Sequence, residues 1–257
     1  MGKTCFYSAA IDKNKIRWYN CFSIGAVLAL SELKLRSTTV GKIKVAPSLL
    51  AADFAVLKTE VEKVEKAGAE WLHLDVMDGA FVPNISFGPC VISCLRGISN
   101  MFFDAHLMIN EPIRYLEDYK KAGADGITVH VEACADVEGT LKAIRALGMK
   151  AGLSVKPKTP VSDIEQYLPL CDNVLIMTVE PGFGGQKLIP ETIGKIAEVK
   201  ALLEKHGLTS EIQADGGISA ANVAPLIEAG LTVAVAGSAV FRAEDPAAAV
   251  EAIANAG

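Results

Sequence analysis

Leu72-His73-Leu74-Asp75-Val76-Met77-Asp78-Gly79 alternates apolar and functional side chains with a period of two. In a β-strand that period places His73, Asp75 and Met77 on one face and Leu72, Leu74 and Val76 on the other. An imidazole, a carboxylate and a thioether in a row pack poorly as a hydrophobic core; they suit a metal or a proton transfer. Phe102-Phe103-Asp104-Ala105-His106-Leu107-Met108 repeats the device, with Asp104, His106 and Met108 sharing a face. The rest of the chain must explain what these two strands converge on.

Outward from this pair, the sequence is regular from about Ile43. Ile43–Leu49 reads as a strand, and Asp53 as the cap of a helix that Gly68 stops. After residues 71–77 come a long loop, Gly79–Gly88, and a short helix carrying Val91, Ile92 and Leu95. Strand Met101–Met108 leads to a helix opened by Glu111-Pro112 and closed by Ala122-Gly123-Ala124. Strand Ile127–Val131 leads to helix Val137–Leu147, and strand Lys150–Val155 to helix Val161–Tyr167. Strand Asn173–Thr178 precedes a glycine-rich loop and helix Ile193–His206; strand Glu211–Ala214 precedes helix Ala220–Ala229. Strand Val233–Ala236 precedes a last helix with Pro246 near its start. Strict alternation of strand and helix implies a parallel sheet. Eight units within 43–257 fit a closed α/β fold, the (β/α)8 or TIM barrel, as one domain with its chemistry at the C-terminal strand ends. An open doubly wound sheet is the alternative; it usually has fewer strands, and no Gly-x-Gly-x-x-Gly follows the first strand here.

At 257 residues, 51% of them hydrophobic, the chain can bury a large core. A net charge of −5 without a basic block argues against nucleic acid, and 6% aromatics supply no base-stacking platform. No run approaches the roughly 18 apolar residues of a membrane span. Six cysteines without a Cys-x-x-Cys pair read as buried reduced thiols of a reducing, cytoplasmic compartment. Residues 1–42 read as an N-terminal extension of unassigned role. Within it Cys21–Leu30, behind Lys13, Lys15 and Arg17, has a loose signal-peptide look but no small-x-small cleavage site, so organelle targeting is the lesser expectation.

In a barrel, His73, Asp75, His106 and Asp215 come from the ends of strands two, three and seven. They can converge on one divalent cation, for which mixed nitrogen and oxygen ligands favour Zn²⁺, Fe²⁺, Mn²⁺ or Co²⁺ over Ca²⁺. A metal-free polar network is the other reading. Gly182-Phe183-Gly184-Gly185, Gly216-Gly217 and Gly237-Ser238 follow strands six, seven and eight. Glycine lets backbone N–H groups approach an anion, and loops after strands seven and eight are the usual phosphate cradle of such barrels. No Walker-type lysine follows, and no Gly-x-Ser-x-Gly occurs, which disfavours triphosphate and serine-type hydrolysis. Asp75 and Asp215, from strands far apart, can face a substrate from opposite sides. One carboxylate removes a proton beside a carbonyl and the other returns one to the opposite face, with a Lewis acid stabilising the enediolate between. That is an epimerisation. His130 reads as support or packing rather than a fifth ligand, Asp104 as a group that orients a neighbour, and His206 as solvated.

Longer segments carry a further signal. Val45-Ala46-Pro47-Ser48-Leu49-Leu50, Leu74-Asp75-Val76-Met77-Asp78-Gly79 with Phe81-Val82-Pro83-Asn84, and Ala105-His106-Leu107-Met108 are followed by Thr178-Val179-Glu180-Pro181-Gly182-Phe183-Gly184-Gly185-Gln186, Asp215-Gly216-Gly217 and Ala236-Gly237-Ser238-Ala239. Together, in order over about 43–241, they resemble the ribulose-phosphate 3-epimerase family. The resemblance implies a (β/α)8 barrel that interconverts D-ribulose 5-phosphate and D-xylulose 5-phosphate in the pentose phosphate pathway, with one divalent metal per subunit, Zn²⁺ or Fe²⁺ foremost. It implies His73, Asp75, His106 and Asp215 as metal ligands. Asp75 would also accept the proton and Asp215 donate one, the roles exchanging in reverse. Ser48 and His106 would contact the substrate, a small phosphorylated ketose. Gly182, Phe183, Gly184, Gly185, Gly216, Gly217, Gly237 and Ser238 would surround its phosphate end. Met77, Met108 and Met177 would form an apolar, polarizable wall, unless they are ordinary core residues. A homo-oligomer, dimer or hexamer, is implied as well.

Two features depart from the family pattern: residues 1–42, and Lys158 in Lys156-Pro157-Lys158-Thr159-Pro160, where glycine is commoner. Two other functions stay open. The related epimerase of D-allulose 6-phosphate shares fold and mechanism, but Gly184-Gly185 and Gly216-Gly217 look more like the pentose enzyme. A catalytically silent sugar-phosphate-binding barrel is opposed by the presence of both His and both Asp.

Overall fold

Short runs rich in Val, Ile, Leu and Ala form eight parallel strands in the computed structural model, which describes residues Lys42–Gly257. The extension, with Cys5, Cys21 and the Cys21–Leu30 run, lies outside the described residues. The strands are β1 (Lys44–Pro47), β2 (Trp71–Met77), β3 (Phe102–Met108), β4 (Gly126–His130), β5 (Lys150–Val155), β6 (Asn173–Met177), β7 (Glu211–Asp215) and β8 (Val233–Ala236). Each strand from β2 to β8 pairs with the next, β8 pairs with β1, and a bridge between Ser48 and His73 joins β1 to β2. The ring is therefore a (β/α)8 barrel and not an open sheet.

Outward-facing strand residues make the core. Leu72, Leu74, Val76, Phe103, Ala105 and Leu107 pack with Val61 and Val64 of α1 (Leu57–Lys66) and Ile92 and Leu95 of α2 (Pro89–Arg96). A fully buried Leu or Phe contributes about 1.5–3 kcal/mol, so this layer is the main stabiliser. The ring of helices continues with α3 (Leu116–Ala122), α4 (Val137–Ala146), α5 (Ile193–His206), α6 (Ala224–Ala229), α7 (Ser238–Phe241) and α8 (Pro246–Ala254). Asp136 and Asp245 start α4 and α8 by accepting from the backbone N–H groups of Gly139 and of Ala247 and Ala248. Among the described residues no helix is long and apolar enough to cross a membrane.

The inward faces differ around the ring. Ala46, Val233 and Val235 fill the β1–β8 side, whereas His73, Asp104, Thr128, Asn173 and Gln213 are all buried on the other strands. Such barrels usually fill this space with Val, Ile and Leu. Here much of it is polar, and every strand from β2 to β7 except β5 supplies one of those groups.

Several boundaries depart from the sequence expectation. β1 stops at Pro47, and Leu49–Ala51 is a 3-10 turn. Asp53 caps a second 3-10 turn, Phe54–Val56, rather than α1 itself. The expected helix Val161–Tyr167 is a 3-10 helix, Val161–Leu170, that contains Pro169, whose missing N–H cannot serve an α-helical ladder. α6 begins only at Ala224, because Asn222 accepts from Ser219 N–H and donates to the Gly217 carbonyl, holding that stretch as a turn. The four described cysteines are free, but only Cys171 is buried; Cys90 and Cys94 are exposed on α2. Glu60, among the charged residues of α1, is buried. His206 is paired with Glu165 at 3.0 Å on the surface. Lys158 is exposed and not in the left-handed region, so the turn needs no glycine there.

Candidate active site

Strand register sets the site. Asp75 on β2 lies beside His106 on β3, Met77 beside Met108, and Met177 on β6 beside Asp215 on β7. His73 Nε2 and His106 Nδ1 are 3.2 Å apart. Asp75 Oδ1 is 3.3 Å from the first and 3.1 Å from the second, and Asp215 Oδ2 is 4.0 Å from each. All four atoms lie within 4.8 Å of one another. Ligands placed about 2.0–2.2 Å from a single ion are separated by roughly 3–4 Å, so this spacing fits one transition-metal or zinc ion. Two imidazole nitrogens and two carboxylate oxygens are also the donor set that such ions prefer.

Electrostatics drive the two carboxyls apart. Burial raises the Asp215 carboxyl well above the usual carboxylate range, and the Asp75 charge adds to the rise while His73 and His106 oppose it. Burial acts on Asp75 in the same sense, but the charges and hydrogen bonds of His73 and His106 outweigh it and hold that group far below its usual range. One carboxyl that stays ionised and one that holds a proton readily are the division of labour acid–base chemistry needs. Burial tends to lower His73, but Asp75 and the hydrogen bond to Asp104 prevail and raise it. A divalent cation among these groups would compete with protons for the same lone pairs.

Behind the cluster lies a second layer of hydrogen bonds. Asp104 Oδ2 accepts from His73 Nδ1 at 2.9 Å and from Gln213 Nε2 at 2.8 Å, and its Oδ1 accepts from the Thr128 hydroxyl at 3.0 Å. The carboxylate thereby keeps a proton on His73 Nδ1, so that Nε2, which faces Asp75, is the nitrogen a metal ion would take. Asp104 orients a neighbour, as its position on β3 suggests. His106 is backed differently: its Nε2 lies 2.8 Å from Nε2 of His130. His130 sits behind His106, outside the four-residue cluster. Burial pushes its imidazole down to about 4 despite the Glu132 hydrogen bond, so the ring is neutral near pH 7.

The remaining expected residues line one cavity together with Asp75 and Asp215. Ser48 donates to Asp75 Oδ2 at 2.5 Å. Met77, Met108 and Met177, all buried, form apolar walls beside it. Gly182, Phe183, Gly184, Gly185, Gly216, Gly217, Gly237 and Ser238 line the side made by the loops after β6, β7 and β8. Phe183 is 55% exposed at the rim. Asn84 donates to the Gly182 carbonyl at 2.7 Å, tying the loop after β2 to the glycine loop. Thr178 donates to the Gly216 carbonyl at 2.7 Å and so fixes the turn that follows Asp215.

Comparison with known proteins identifies the family. The model of the ribulose-phosphate 3 epimerase family matches residues 44–241. The chain belongs to the ribulose-phosphate 3 epimerase family. It is 48% identical to the ribulose-phosphate 3-epimerase of Synechocystis sp. over 215 residues, covering 83% of this chain and 94% of that one. Identity to the Bacillus subtilis ribulose-phosphate 3-epimerase is also 48%, over 79% of this chain and 94% of the other. A chloroplastic ribulose-5-phosphate-3-epimerase of Arabidopsis thaliana is 46% identical over 82% of this chain and 76% of its own. Membership places the chain in the isomerase class. Among solved structures, KGPDC from Streptococcus mutans aligns with a TM-score of 0.65 at 14% identity over 84% of this chain and 97% of that one, a likeness of fold alone. The same holds for 3-hexulose-6-phosphate synthase from Salmonella typhimurium, with a TM-score of 0.60 at 16% identity, covering 83% and 98%.

For this epimerase-family site, several contributors escaped the sequence reading, Thr128 among them. Gln213 lies two residues before Asp215 on the same strand face, so the period-two rule was available to find it. Glu132 lies two residues after His130 but in the 3-10 turn Val131–Ala133, where that rule lapses. Asn84 follows Phe81-Val82-Pro83 in the loop after β2, and nothing local announces its bond to Gly182.

Gly217 offers a direct test of the cradle. Its φ is +67°, and a Cβ there would come within 2.5 Å of Leu188 N and 2.7 Å of Gln186 O, backbone atoms that cannot swing aside. Gly217→Ala is expected to cost about 1–3 kcal/mol of stability through strain. It should also raise KM for a sugar phosphate more than it lowers kcat, which steady-state kinetics and thermal melting would reveal. An unchanged KM would separate this loop from phosphate binding.

Proposed function

We propose that the chain is a ribulose-phosphate 3-epimerase that interconverts D-ribulose 5-phosphate and D-xylulose 5-phosphate by inverting C3, as part of the pentose phosphate pathway. The observation that carries this reading is the pair of carboxyls, Asp75 from β2 and Asp215 from β7, clustered with His73 and His106 and both lining one glycine-rimmed cavity.

The roles follow from the chemistry of each group. Backbone N–H groups of Gly182 to Gly185, Gly217, Gly237 and Ser238 hold the phosphate, which sets the sugar's C3 near the carboxyls. Asp75, kept ionised, removes the C3 proton of ribulose 5-phosphate. Asp215, which holds a proton readily, delivers one to the opposite face; in reverse the roles exchange. Ser48, donating to Asp75 Oδ2, keeps that carboxylate turned into the cavity and is within reach of a substrate oxygen. The methionine walls keep water from the electron-rich enediolate. His73, Asp75, His106 and Asp215 would hold one divalent ion per subunit, Zn²⁺ or Fe²⁺ foremost, with Mn²⁺ or Co²⁺ as alternatives. When bound, such an ion supplies Lewis-acid stabilisation of negative charge on substrate oxygens.

The same reading includes a homo-oligomer, dimer or hexamer. Phe54 and Val56 remain 46% and 47% exposed on one short turn, apolar surface a second copy would cover. A reducing cytoplasmic compartment suits free Cys90 and Cys94.

Purified chain is expected to turn over ribulose 5-phosphate well above D-allulose 6-phosphate. A chelator should remove the activity, and a divalent ion restore it. Metal affinity should rise with pH, because at low pH Asp215 and His73 hold protons that the ion must displace. Equal turnover of the hexose phosphate, or full activity in chelator with no bound metal, would count against the proposal.

A further inference from the structure

His73 and His106 set the same requirement: one ring nitrogen must face the cluster bare while the other is held. Asp104 meets it for His73 directly. No carboxylate touches the far side of His106. Its Nε2 meets Nε2 of His130 at 2.8 Å, and His130 Nδ1 lies 3.3 Å from Oε2 of Glu132, so the three side chains lead in series from the cluster to the loop after β4. We propose that Glu132 is a positioning residue which, through His130, sets the tautomer of His106 and thereby the affinity of the site for its divalent ion. The inference rests on the reading of His106 as a ligand.

Counting protons gives the reason. Where two neutral imidazoles meet nitrogen to nitrogen, one must donate and the other accept. An ionised carboxylate only accepts, so Glu132 draws the single ring proton of His130 to Nδ1. His130 Nε2 is then the acceptor, and His106 must carry its proton on Nε2. That leaves His106 Nδ1 bare toward Asp75 and His73. Without the carboxylate, the opposite order is equally available: His130 protonated on Nε2 and His106 on Nδ1, where the proton points into the cluster and blocks a ligand bond.

Among the described residues, Glu132 is the hydrogen-bond partner that His130 Nδ1 has. His130 is 0% exposed and has the Phe81 ring 4.9 Å from its own, so it is shielded from bulk solvent. Glu132 is itself held in place: its Oε1 accepts from Lys156 N–H at 2.9 Å and from the Thr159 hydroxyl, which leaves Oε2 for His130. Those two bonds also define the competing explanation, that Glu132 merely anchors the loop after β5.

The test is the dissociation constant for Zn²⁺, by competition with a chromophoric chelator, with the visible spectrum of the Co²⁺-loaded protein as a second readout. Wild type would be compared with Glu132→Gln, His130→Phe, Thr159→Val and His106→Ala, all checked for folding by circular dichroism. Glu132→Gln and His130→Phe are expected to weaken binding by roughly 10–100-fold and to change the Co²⁺ spectrum. Thr159→Val removes one of the two bonds on Glu132 Oε1 but leaves the Lys156 N–H bond and the Oε2 contact with His130, so it should stay close to wild type. Wild-type affinity and spectrum in Glu132→Gln and His130→Phe would overturn the inference, as would equal weakening in Thr159→Val. If His106→Ala bound the ion as tightly as wild type, the ligand reading itself would fall, a result distinct from the other two.

Discussion

Asp75→Asn is expected to lower turnover in both directions by about 10²–10⁴-fold, the usual contribution of a positioned acid–base group. The substitution preserves shape and removes charge. In the native site that charge is unusually secure: Ser48 donates to one oxygen, and His73 and His106 lie 3.3 and 3.1 Å from the other. An amide there cannot take a proton from carbon, and it binds a cation less well than a carboxylate. The two effects are separable. Deuterium entry at C3 of ribulose 5-phosphate in D₂O reports the proton transfer, and metal content measured on the same sample reports the ligand role. Wild type should incorporate deuterium as xylulose 5-phosphate forms, and the variant should do neither. Exchange that persisted in a fully metal-loaded variant would assign the base to another group.

How far the site was legible depends on which contacts share a strand. His73, Asp75 and Met77 announced themselves because one period of two aligns them, and the equivalent period on β3 put His106 beside them. Asp215 was visible through the Asp-Gly-Gly turn that ends β7. The barrel was legible for a related reason: eight strand–helix repeats leave few ways to bury the outward Leu and Val faces. The support behind the ligands was harder to see. Asp104 meets Gln213 across the barrel interior, a contact spanning 109 residues that no local pattern encodes. Cys90 and Cys94 illustrate the opposite error. Composition suggested buried thiols, yet on α2 it is Ile92 and Leu95 that point inward, leaving the cysteines on the outer face. The 3-10 helix Val161–Leu170 was misread as α because its apolar spacing resembles a helix and only Pro169 argues otherwise.

Asp215→Asn should produce a different failure from Asp75→Asn. In the proposed mechanism the C3 proton of ribulose 5-phosphate faces Asp75, and the C3 proton of xylulose 5-phosphate faces Asp215. With an amide at 215, Asp75 can still remove the proton of ribulose 5-phosphate and return a deuteron to the same face. Nothing on the other face can complete the inversion. Epimerisation is therefore expected to fall by about 10²–10⁴-fold while ribulose 5-phosphate continues to exchange C3 hydrogen with D₂O. Xylulose 5-phosphate should exchange hardly at all. The site is built to survive this substitution: Asp215 Oδ2 stands 4.0 Å from each imidazole and its side chain is 17% exposed, whereas His73, Asp75 and His106 are buried at closer range. Three such ligands are the number a catalytic zinc site commonly has, so the ion should be retained. The converse pattern, exchange from xylulose 5-phosphate alone, would reverse the roles of the two carboxyls. Loss of exchange from both sugars with the metal still bound would mean that Asp215 is needed before any proton leaves carbon, and the two-base scheme would have to be abandoned.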